Sequence, residues 1–116
     1  MKYLFLLYAE ENGGPAPDSP EAQAEFAAYG AFFEEVNGRG QFVAGDPVQP
    51  SATAKTVSVR GGNTSSADGP ARPGGEQLIG FYVLDVADEQ EAIDLAAKIP
   101  AAKHGRVEAR PILVFS

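Results

Sequence analysis

Residues 77–86 read QLIGFYVLDV, and residues 88–91 read DEQE. The first stretch is almost wholly apolar, aromatic or β-branched, which marks it as the strongest strand of the chain. The second matches a capping box, with an acid at the cap and Glu91 three residues on. Beyond it, Ala92, Ile93, Leu95, Ala96 and Ile99 recur at helical spacing, and Pro100 stops the helix. A strand that feeds a capped amphipathic helix is one half of a two-layer α+β unit. Gly80, inside the strand, predicts a bulge or the close approach of another backbone.

The other half opens the chain. KYLFLLYA, residues 2–9, is nearly continuous in apolar and aromatic residues, the pattern of a central strand covered on both faces. ENGGPAPDSP, residues 11–20, is rich in turn formers and reads as a loop. A helix then starts near Pro20, with Asp18 or Ser19 as its cap and Glu21 complementing the helix dipole. Phe26, Tyr29, Phe32, Phe33 and Val36 share one face of it, Gln23, Glu34 and Glu35 face water, and Asn37-Gly38 ends it.

Shorter elements fill the middle and the end. QFVAG, 41–45, predicts a short strand, and DPVQPSA, with its two prolines, a connection. KTVSVR, 55–60, alternates cleanly, with Val57 and Val59 on one face. GGNT turns the chain and SSAD returns it as a weak strand, giving a hairpin. AAKHG, 101–105, is one further turn. VEARPILVF, 107–115, is the last strand, and Pro111 places it at an edge or a bulge.

Strand, helix, strand, hairpin insertion, strand, helix, strand is the split β-α-β order of a ferredoxin-like α+β fold. The expectation is a single domain over 1–116, with both helices on one face of an antiparallel sheet. The opposite face would then be bare, a large exposed apolar patch. Its simplest cover is a second copy of the same sheet, so a homodimer packed sheet to sheet is expected.

Composition bounds the function. The chain has 116 residues, 44% of them hydrophobic, and no cysteine. Disulfides, thiolate catalysis and cysteine metal sites are excluded, and a reducing cytoplasm fits. Nine basic residues against 16 acidic ones give a net charge of −7, which repels nucleic acid. The apolar run at Tyr3–Ala9 is followed by Glu10 and Glu11 with no small-residue cleavage site, so it reads as a strand and not a signal peptide. No stretch approaches the roughly 20 apolar residues of a membrane span. A soluble, cytoplasmic protein is expected, with neither nucleic acid nor membrane as partner.

Candidate chemistry is sparse. Asp68 leads the loop ADGPARPGG, 67–75, where an Asx side chain fixes a turn, or a partly buried carboxylate serves as a general base. His104 is the only histidine. It is either a surface residue near a helix end or the usual general base at neutral pH. Tyr8, Tyr29 and Tyr82 fall on core elements, and their hydroxyls would also suit an apolar ligand pocket. Arg110 and Glu108, two apart, point to one strand face. Arg72 is solvated or clamps a carboxylate. One histidine without cysteine argues against a dedicated zinc or iron site. No phosphate loop, dinucleotide fingerprint or nucleophile elbow occurs.

Several of these stretches together resemble the YCII-related proteins, in particular the branch named for a DGPF motif. They are MKYLFLLY, then AYGAFFEEVNGRGQFVAGDPVQPSATAKTVSVRGG, then DGP with EQLIGFYVLDVADEQEAIDLAAKIPAAKHGRVEARPI. The resemblance implies the fold of the dimeric α+β barrels. Two departures stand out. Ala71 occupies the place of the motif's phenylalanine, and RPGG follows where relatives carry a more charged, less glycine-rich stretch. Better-studied relatives imply a histidine–acid pair at a dimer-related cleft, but the first helix here carries Tyr29 and no histidine in that region.

Two functions follow as expectations. One is a cofactor-free enzyme of isomerase or lyase type acting on a small organic molecule. Asp68 would be its base, His104 and Tyr29 its helpers, and Tyr8, Arg72 and Arg110 its ligand contacts. The alternative is a non-catalytic dimeric module that binds a ligand or a protein partner.

Overall fold

The computed structural model describes residues 1–115. β1 (Lys2–Ala9), α1 (Pro20–Gly38) and β2 (Phe42–Pro47) make the first half of the fold. β3 (Lys55–Arg60) and β4 (Asn63–Asp68) follow, then β5 (Gln77–Asp85), α2 (Glu89–Lys98) and β6 (Arg106–Pro111). The main sheet is antiparallel in the order β2-β5-β1-β6, and β3 and β4 pair separately. Each helix carries the chain back over one face, which leaves room for a strand of the other half in between. The fold is α+β and ferredoxin-like.

The two faces of the sheet differ. On β1, Tyr3, Phe5, Leu7 and Ala9 are buried, and they share a core with Phe32 and Val36 of α1 and with Ala92, Leu95 and Ile99 of and beyond α2. The intervening Leu4, Leu6 and Tyr8 are only partly covered. β1 is therefore closed on one face within the chain, not on both as its apolar run predicts. Among the described residues, no helix is long and apolar enough to cross a membrane.

The helix starts follow from the caps. Ser19, not Asp18, caps α1, its Oγ accepting from the Ala22 N–H at 3.1 Å. Asp88 caps α2, accepting from the Glu91 N–H at 2.8 Å, while Glu91 Oε1 reaches back to the Ala87 N–H at 2.9 Å. The same oxygen accepts from Gln41 Nε2 at 3.0 Å, which ties the start of β2 to α2.

Four expectations shift. β2 continues through Asp46-Pro47, which β2 tolerates because it is an edge strand paired only with β5. The hairpin turn is Gly61-Gly62 alone, both at positive φ as a two-residue primed turn requires, so β4 already starts at Asn63. β6 ends at Pro111, and Ile112–Phe115 lie outside the sheet, 38–88% exposed. On the helices, Phe26 is 82% and Ile93 52% exposed despite their places on the apolar faces.

Gly80 meets both of its expectations. The register of β1 against β5 shifts beside it, with Leu7 opposite Gly80 and Tyr8 opposite Leu78. An added Cβ at Gly80 would also lie 3.1 Å from the Asp46 carbonyl oxygen.

Candidate functional site

A cavity of about 420 Å³ opens between α1 and the β2–β5 side of the sheet. Phe26 and Phe33 supply its helix wall, and Phe42 comes from β2. Phe33 and Phe42 meet edge to face at 4.9 Å between ring centres, a favoured aromatic geometry. This wall accounts for the exposure of Phe26 and Phe33: their helix face looks onto open space, not onto the packed core.

The polar groups of the cavity are few. Tyr29, Tyr82 and Asp46 line it. Tyr82 stacks at a tilt against buried Phe32, 5.2 Å away. Gly45 makes that ring position available, since a Cβ there would lie 2.7 Å from Tyr82 Cδ1. Burial pushes the Tyr29 phenol up to about 12, with the Glu25 charge and Tyr82 adding to the rise and a hydrogen bond from the Ala101 backbone opposing it. Burial raises Tyr82 as well. Both hydroxyls therefore stay protonated near neutral pH and can donate a hydrogen bond.

Glu25 lies one helical turn before Tyr29, on the same face of α1. Its Oε1 sits 2.6 Å from His104 Nε2. A carboxylate only accepts, so the contact places a proton on Nε2; in the neutral ring Nδ1 is then left as the basic atom. His104 is held in place by its neighbour. A Cβ on Gly105 would lie 2.0 Å from the Tyr8 carbonyl oxygen, so only glycine lets the chain pass so close to β1. Tyr29 and His104, both proposed from sequence, thus meet around Glu25.

Asp68 stands apart from them. It closes β4 at the base of the hairpin, its side chain 84% exposed and paired with Lys55 directly across the ladder. It lines neither the cavity nor the Glu25–His104 pair. Its motif acts as a junction: the Gly69 N–H donates to the Ala54 carbonyl at 2.7 Å, and Thr56 Oγ1 donates to the Gly69 carbonyl at 2.9 Å.

The three sequence-derived ligand contacts come together elsewhere. Tyr8, Arg72 and Arg110 line one open cleft on the bare face of the sheet, with Arg106, Glu76 and Glu108. Arg106 Nε donates to Glu76 Oε1 at 2.7 Å, and Arg110 pairs with Glu108. Arg72 has no acidic partner among the described residues. Gln77 shapes the loop above the cleft. Its buried amide donates to the carbonyls of Arg72 at 2.8 Å and Gly74 at 2.9 Å.

Glu25, Gln77, Gly45 and Gly105 escaped the sequence reading. Glu25 looks like any solvent-facing helix acid until His104, 79 positions away, arrives beside it. Gln77 did leave a signal, as the one polar residue opening an otherwise apolar strand.

The small ferredoxin-like chain with an aromatic cavity beneath α1 matches a described family along its whole length. The YCII-related domain covers residues 1–116, and the chain belongs to that family. It is also similar to an uncharacterised protein of Rhizobium meliloti (strain 1021), at 29% identity over 117 residues, covering 99% of this chain and 94% of that one.

Proposed function

We propose that the protein acts as a homodimer that binds a small, largely apolar, ring-bearing organic molecule in the cavity between α1 and the sheet. The cavity itself carries this reading. Its volume of about 420 Å³ falls within the roughly 300–1,000 Å³ of small-molecule sites. Aromatic walls with two neutral phenol donors are the usual make-up of such a site. The test is a calorimetric titration with simple ring probes such as p-cresol and indole, against the wild type and Gly45→Val. The valine would push Tyr82 into the cavity. Binding by the wild type that weakens at least about tenfold in the variant supports the reading; equal binding by both removes the cavity as the site.

The dimer rests on surface arithmetic. The chain exposes 7975 Å², whereas a compact monomer of its mass exposes about 6,100 Å². The excess, about 1,900 Å², matches the share per protomer of an obligate dimer interface. Leu4, Leu6, Phe81 and Val83, half-covered on the bare sheet face, are the residues a second sheet would bury. Leu6→Asp is expected to yield monomers in sedimentation velocity; an unchanged dimer rules this face out.

A second reading is proton-transfer catalysis, favoured by the Glu25–His104 pair beside Tyr29. His104 would be the base, Glu25 would hold its tautomer, and Tyr29 would donate to developing negative charge. Given a turned-over substrate, His104→Gln is expected to cost about 10²–10⁴ in kcat with ligand affinity retained. A ligand that binds without turnover in the wild type leaves the binding module as the function.

A further inference from the structure

Resting on the dimer reading, we infer that the β3–β4 hairpin is an exchange arm that packs against the second copy of the chain. The hairpin forms its own two-stranded sheet, with Lys55 opposite Asp68 at its base and Arg60 opposite Asn63 at its tip. An isolated two-stranded hairpin is marginal at best in water. This one also carries little apolar cover from its own chain, because every residue of β4 is exposed.

The polarity of the arm is inverted. Thr56 and Ser58 are the more covered positions of β3. Val57 and Val59, on the other face, are 61% and 57% exposed. Across the ladder they meet Ser66 and Thr64, and the charges on that face are the paired Lys55 and Asp68 at its base. A strand in a folded monomer turns its valines inward and its serine and threonine outward. Here the apolar face is offered away from the protomer that makes it.

The dimensions point the same way. The radius of gyration is 16.2 Å, against about 13 Å for a compact chain of this length. The molecule measures 47 × 47 × 18 Å, a plate with extensions. The exposed tail at Leu113, Val114 and Phe115, 75–88% exposed, is a second extension of the same character. Arm and tail are the two exposed apolar extensions that a partner copy would cover. Asp68 takes its role from this arrangement: its pair with Lys55 pins the root of the arm, and the DGP junction sets the direction in which the arm leaves the body.

The test compares the wild type, Val57→Asp/Val59→Asp, Leu6→Asp and the control Ser58→Asp by sedimentation velocity over a dilution series. Hydrogen exchange of residues 55–68 is followed in the same series. The expected result is a wild-type dimer whose dissociation constant rises at least about 100-fold in the double valine variant and stays nearly unchanged in Ser58→Asp. Hairpin amides should be protected in the dimer and lose that protection on dilution. A wild-type dimer with an unaltered constant in the double valine variant, and hairpin exchange independent of concentration, overturns the arm and leaves the sheet-face dimer standing. A wild type that is monomeric throughout overturns both.

Discussion

Leu7 and Tyr8 are neighbours in sequence, yet they border two unlike regions. Leu7 faces α1 and floors the aromatic cavity. Tyr8 faces the bare side and borders the charged cleft. The strand period of two makes this division, and what lies over each face makes the chemistry. Under α1, water is displaced by aromatic rings, so each hydroxyl is shifted and each contact carries weight. On the bare side of the free protomer, arginines and glutamates neutralise one another in solvent, where ion pairs contribute little. A shaped apolar space with few polar groups is therefore a stronger sign of a site than a convergence of charged residues.

Gly105→Ala should have the largest effect, because Gly105 joins the two regions at β1. The 2.0 Å approach to the Tyr8 carbonyl leaves no room for a methyl group, and a loss of about 4 kcal/mol or more is expected in urea unfolding. Gln77→Leu should come next. It strips the donor from two loop carbonyls and should cost about 1–3 kcal/mol, while ring-probe binding in the cavity stays intact. That outcome would show the cleft and the cavity to be separable.

Tyr29→Phe tests the cavity side. In the folded protein Tyr29 keeps its proton up to about 12, whereas an unfolded tyrosine releases it near about 10. Stability from this group is therefore fully present below about pH 10 and is lost as pH climbs toward about 12. The variant should lose less stability over that alkaline window than the wild type, as read from thermal midpoints. Near neutral pH the two should differ by less than about 1 kcal/mol. The smallest effect belongs to the cleft: Arg110→Ala, which removes an exposed partner of Glu108, should change the stability of the dissociated protomer by no more than about 0.5 kcal/mol. In the proposed dimer, where a second sheet would cover Leu4 and Leu6 beside Arg110, the loss should be larger.

Much of the fold was legible because local signals agreed with one another. The capping box at Asp88, the proline after Ser19 and the apolar runs of β1 and β5 each named an element, and their order named the topology. The site was less legible for a physical reason. Helical spacing placed Phe26 and Phe33 beside Phe32 and Val36, but spacing does not say that one part of the face meets packed core and another an open cavity. Asp68 drew attention because turn chemistry and catalytic chemistry use the same residue type. Glu25 drew none, because an acid on a helix acquires meaning only from a distant histidine, and Gly45 because its role is the space that it leaves to Tyr82.

The most direct measurement is an NMR titration of the assigned protein with p-cresol, following amide shifts on both faces of the sheet. The largest changes are expected at Leu7, Phe42, Ile79 and Tyr82, with Arg72, Arg106 and Arg110 nearly still. Changes clustered on the three arginines, or none at the cavity at saturating probe, would contradict it.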